Sequence, residues 1–157
     1  MEHTRSRTAL IIVDGFAGVT ALFGMAMLLI SWPFRLPLIS LRRTPFGDYT
    51  VPALILGLVV GGSALLAMGA TIRHMGISPV LALIAGAIMI GWIVGEMLLL
   101  PTNLFTDFAT GWLQGVYLLV GLAMVVLALR AAPGGWRGIL PSRQHHSPGA
   151  TGAIAQR

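Results

Sequence analysis

"VPALILGLVVGGSALLAMGAT", residues 51–71, runs for twenty-one positions without a single charge. At 1.5 Å of rise per residue a helix of that length reaches roughly 30 Å, the thickness of the hydrocarbon core of a bilayer. Three more segments have the same character: Thr8 to Ile30, Val80 to Leu100 and Trp112 to Leu129. Four antiparallel spans with short connections predict an all-α, integral membrane four-helix bundle running up-down-up-down over residues 1–130.

Composition supports that reading. Hydrophobic residues make up 56% of the 157-residue chain and charged residues only 10%, with a mean hydropathy of +0.86. A soluble domain carries about 25% charged residues, so this chain lacks the surface that keeps a protein in water. There is no cysteine, which removes disulfides, thiol redox chemistry and thiolate metal sites together. All ten basic residues are arginine. With so much Ala, Gly, Leu and Val, that pattern suggests a bacterium with a GC-rich genome.

The sequence pI near 11.4 does not imply nucleic acid, because the arginines flank apolar runs and form no basic helix. Anionic lipid headgroups and the bilayer itself are the expected partners. Arg5, Arg7, Arg73, Arg130, Arg137, Arg143 and Arg157 fall on one side of the four spans, and Arg35, Arg42 and Arg43 on the other. The positive-inside rule then places both termini in the cytoplasm and the protein in the bacterial inner membrane. Arg5 and Arg7 before an apolar run also resemble the start of a signal peptide. Asp14 interrupts that run, which then continues too long, so a membrane span is expected instead. The tail 131–157, rich in Pro, Gly, Ser and Arg without an apolar period, is expected to be disordered.

The connections are "SWPFRLPLISLRRTPFGDYT" (31–50), "IRHMGISP" (72–79) and "PTNLFTDFATG" (101–111). In the first, Asp48 and Thr50 suit the free amides of a helix start, and Pro52 suits its first turn. Tyr49 and its aromatic neighbours suit the headgroup layer. Arg42, Arg43, Asp48 and Tyr49 together also make a candidate outer-loop site for a polar ligand. "FGDY" (46–49) recurs loosely as "FTDF" (105–108), with Gly62 and Gly121 each fourteen residues after the aspartate, which hints at duplicated helical hairpins.

"TPFGDYTVPALILGLVVGGSALLA" (44–67) resembles a segment common in small, uncharacterised four-span bacterial membrane proteins, actinobacterial ones in particular. "GEMLLLP" (95–101) and "WLQGVYLLVG" (112–121) echo it. The resemblance implies a four-span fold in the inner membrane and transfers no activity and no site residues.

Small residues recur at four-residue spacing, as Gly57 and Gly61, then Ala87, Gly91 and Gly95, then Gly111 and Gly115. Such stripes let helix backbones approach in lipid, so they are expected to pack helices or to join copies of the chain. By that reading Gly91→Leu disrupts the fold or its assembly.

Asp14 and Glu96 are the only acids inside the spans. A carboxylate at the bilayer centre costs on the order of 2.5–3.5 kcal/mol on insertion scales, so each needs a reason to be there. Counted along their helices they lie at depths roughly 15 Å apart, too far to share a proton. By depth, Asp14 is expected near Ser63 and Thr71, with Arg73 or Arg130 able to reach it. Glu96 is expected near Gln114 and Tyr117. These residues read either as fasteners between helices or as stations for a proton or cation.

The histidines lie outside the spans, and no Ser–His–Asp set, phosphate-cradling loop or metal motif is present. No catalytic residue, cofactor or metal is assigned. The expected function is that of a non-enzymatic membrane protein, an accessory subunit with a membrane-protein partner or a small homo-oligomer. The alternative is a small transporter or proton- or cation-linked channel using Asp14 and Glu96.

Overall fold

A computed structural model describes residues 2–30, 45–99 and 108–132. Helix α1 runs Glu2–Ile30. The second span comprises α2 (Thr50–Leu54), a π-helical segment (Ile55–Gly61) and α3 (Gly62–Ile72) in one continuous rod. Helix α4 runs Ser78–Leu99 and α5 runs Phe108–Ala131. Four helices are long and apolar enough to cross a membrane, and among the described residues there is no strand. The all-α four-helix bundle expected from the sequence is thus the observed one. The tail beyond 132 and the arginines of the first loop lie outside the described residues.

Helix α1 begins earlier than its apolar run because neither Gly nor Pro interrupts residues 2–7. Neighbouring helices are antiparallel. Along α1, Gly15 meets Met68, Gly18 meets Leu65 and Gly24 meets Leu56, a descending register on the second span. Helix α1 packs on the second span and on α5, and α4 packs on the same two, so the helices form a four-sided ring.

The ring is inside-out relative to a soluble protein. Its buried residues are mainly alanine and glycine, including Ala17, Ala64, Ala67, Ala82, Ala85 and Ala128. Its large side chains point outward, with Leu98 at 77% and Leu66 at 69% exposure. In water so much exposed apolar surface would drive aggregation, whereas in lipid it is the normal exterior.

Two glycine pairs set the closest crossings. A Cβ on Gly61 would stand 3.2 Å from the Gly18 carbonyl oxygen, and one on Gly18 would stand 3.2 Å from that of Gly61. Gly86 and Gly121 face each other in the same reciprocal way between α4 and α5, at 3.0 and 3.3 Å. Each hairpin therefore has one glycine-on-glycine contact. The predicted equivalence of Gly62 and Gly121 does not hold, because Gly62 faces open space while its neighbour Gly61 makes the contact.

The stripes divide likewise. Gly57, against Met25, and Gly61 pack inside as expected. Gly91 and Gly95 have nothing within 4 Å of a Cβ position, and Ala87 is exposed. Within the chain, α4 is instead joined to α5 through Gly86. A step of one residue turns a helix by about 100°, which moves the 87–91–95 line out of that contact.

The second span ends in a Schellman cap. Met75 N–H donates to Ala70 O at 3.0 Å and His74 N–H to Thr71 O at 3.2 Å. His74 takes the left-handed position, at φ 57°, that glycine usually fills. Arg7 Nη2 also donates to Thr71 O, at 3.0 Å, tying α1 to this end of the bundle. Arg7, Arg73 and Arg130 lie together there, at what is called the basic end below.

Candidate functional site

The bundle is closed toward the basic end and open toward the other. On α1 the buried residues Leu10, Asp14, Ala17 and Ala21 all lie in its first two thirds. Leu10, Ala17 and Ala21 join Met124 and Ala128 of α5 in one apolar cluster. Beyond Ala21 the helices part around a cavity of about 490 Å³. Met89 and Ala21 belong both to its wall and to the buried core, so they form its floor. The π-helical segment contributes Leu56 to the wall. Wide π turns inside α-helices occur frequently at functional sites, which adds weight to this end of the span.

Glu96 stands in the cavity wall with Gln114, Trp92 and Tyr117. Gln114, 7% exposed, stands beside the Glu96 carboxyl from α5. Trp92 is four residues before Glu96 on the same face of α4. Its buried indole N–H has no hydrogen-bond partner. Thr20, across the cavity, returns its hydroxyl to the Phe16 carbonyl at 2.7 Å. The expected grouping of Glu96, Gln114 and Tyr117 is therefore present, and Trp92 joins it. The i, i+4 spacing to Glu96 was the signal that could have found Trp92.

Asp14 differs. It is fully buried, and neither carboxyl oxygen has a hydrogen-bond partner. The partners expected by depth are engaged elsewhere. Ser63 Oγ donates to Val60 O at 3.0 Å, and Thr71 Oγ1 donates to Ala67 O at 2.9 Å. Arg73 and Arg130 are exposed at the basic end, and Arg7 is committed to the Thr71 carbonyl. A hydroxyl in a helix can always return to its own preceding turn, and in an apolar interior that bond is the nearest one. Asp14 is not among the residues that line the cavity, whose floor is formed by Ala21 and Met89.

At the loop end, Asp48 Oδ1 accepts the Thr50 N–H at 2.9 Å. Asp48 thus serves the start of the second span, as its position suggested. Tyr49 carries the first helical bond, accepting Ala53 N–H at 2.9 Å on its carbonyl oxygen. Arg42 and Arg43, the other half of the candidate outer-loop site, lie outside the described residues. Among the described residues no three His, Cys, Asp or Glu side chains are grouped to hold a metal ion.

The class these features define is a multi-pass helical membrane protein with a polar-anchored cavity inside its bundle. A scan of protein-family models, a search of curated proteins and a search of solved structures each returned no match.

Proposed function

We propose that this chain is a small carrier of a bacterial inner membrane, both termini cytoplasmic, that binds a small molecule within its bundle. The observation that carries the reading is the cavity of about 490 Å³ with Glu96 and Gln114 in an otherwise apolar wall. Ligand sites are typically concave, mainly apolar and supplied with a few placed polar groups, at volumes of about 300–1,000 Å³. An ionisable group inside a membrane span marks a substrate or ion pathway more often than a structural bond. No reaction is assigned.

A second reading rests on a different face. The outward line Ala87, Gly91 and Gly95 suits a close helix contact with another copy or with a membrane-protein partner, for which the chain would be an accessory subunit. Native mass spectrometry of protein released in mild detergent separates the two. One small molecule retained per chain, and lost in Leu113→Trp at the cavity mouth, is the outcome expected of a carrier. An empty chain found only as a fixed multimer or with a stoichiometric partner protein would sink the carrier reading in favour of the second.

A further inference from the structure

If the cavity is the working site, its lining also specifies the class of ligand. We propose that it takes a lipophilic cation, an organic ammonium or phosphonium whose charge lies beside Glu96 and whose apolar groups fill the rest of the cavity.

Charge comes first. The protein carries a formal net charge of +5, yet among the described residues no arginine or histidine lines the cavity, and Glu96 is the one carboxyl group there. A carboxylate offers about four acceptor positions, so a cationic group can approach it beside Gln114. An anion in the same place would meet a like charge with little water to screen it.

The walls narrow the choice further. Phe23, Trp92 and Tyr117 place three aromatic rings around the site. A cation within about 6 Å of an aromatic ring face is held by its quadrupole, most strongly where water is scarce. Access matters too. Phe23 and Leu113, at 61% and 46% exposure, belong to both the lining and the bundle's outer surface. The cavity therefore opens toward the hydrocarbon between α1 and α5. A small hydrated ion would have to shed its water there without enough ligands to replace it. An organic cation with a spread charge and apolar substituents avoids that cost.

The test uses two probes of one shape and opposite charge, tetraphenylphosphonium and tetraphenylborate. Each is measured by equilibrium dialysis against the purified chain in a neutral detergent. The expected result is saturable phosphonium binding at one per chain and no saturable borate binding. Glu96→Gln keeps the size and hydrogen-bonding shape while removing the charge and should raise the phosphonium Kd at least ten-fold. Leu113→Trp, which leaves Glu96 intact, should weaken binding by filling the mouth. Equal affinity for the two probes, or an unchanged Kd in Glu96→Gln, overturns the cation preference while leaving the cavity a ligand site. Absence of binding by both probes also overturns it, and the retained-ligand mass measurement then decides the carrier reading on its own.

Discussion

Asp14 and Glu96 are alike in chemistry and opposite in surroundings. Glu96 sits where the helices part, with Gln114 beside it and an open volume in front of it. Asp14 sits where they close, fully buried, with both oxygens unpartnered. The difference is not one of helix type or depth alone. The closed half is built from alanine and glycine, whose small side chains leave no room for a partner to reach in. The open half keeps Trp, Tyr, Gln and Phe, which hold the helices apart and supply polar atoms.

The strongest way to break this contrast is to add the same side chain to each half of one helix. Gly18→Leu puts its Cβ 2.6 Å from Leu65 and 3.2 Å from the Gly61 carbonyl, in the closed half. Gly24→Leu, roughly two turns along, meets only the Leu56 side chain, at 3.0 Å for its nearest atom, and otherwise grows into the cavity. Unfolding in mixed micelles should show a loss of about 3 kcal/mol or more for Gly18→Leu and about 1 kcal/mol or less for Gly24→Leu. Similar losses would mean that the two halves are equally packed.

A smaller effect, of opposite sign at the two acids, sharpens the contrast. Asp14→Ala removes an unsatisfied buried carboxyl and should stabilise the bundle by about 1–2 kcal/mol. Glu96→Ala removes side-chain packing beside Trp92 and Gln114 in the cavity wall and should destabilise the bundle by about 1 kcal/mol. Chemical unfolding in the same micelles reads both. A destabilised Asp14→Ala would show that Asp14 has a structural partner after all.

The smallest effect is expected on the outside. Gly91→Leu, with open space at its Cβ, should change the stability of the single chain by no more than about 0.5 kcal/mol. A large loss, measured alongside the particle mass, would mean that another chain covers this face.

Much of the fold was legible because long uncharged runs have few alternatives. Runs such as 51–71 have to be membrane spans or deeply buried helices, and 157 residues cannot bury four of them. The glycine contacts were legible only in part. Spacing identifies a stripe but not the direction it faces, and Gly86 sits one position from the line that was read on α4. Gln114 was found by depth, since both it and Glu96 belong to antiparallel neighbours. Ser63 was misplaced by the same argument, because depth says nothing about which way round a helix a hydroxyl points. The left-handed cap at His74 and the π-helical turn carry no local signature of the usual kind, glycine being absent from the one and unremarkable in the other.

The alanine- and glycine-built core has a thermodynamic consequence. Burying Ala or Gly freezes no side-chain torsion, whereas ordering a long side chain costs up to about 2 kcal/mol of rotamer entropy. The side chains with the most freedom to lose, such as Leu66 and Leu98, lie in the periphery and keep it. Close approach of the helices thus gains dispersion energy at little entropic cost, and weak contacts suffice to hold four spans together in a solvent as apolar as they are.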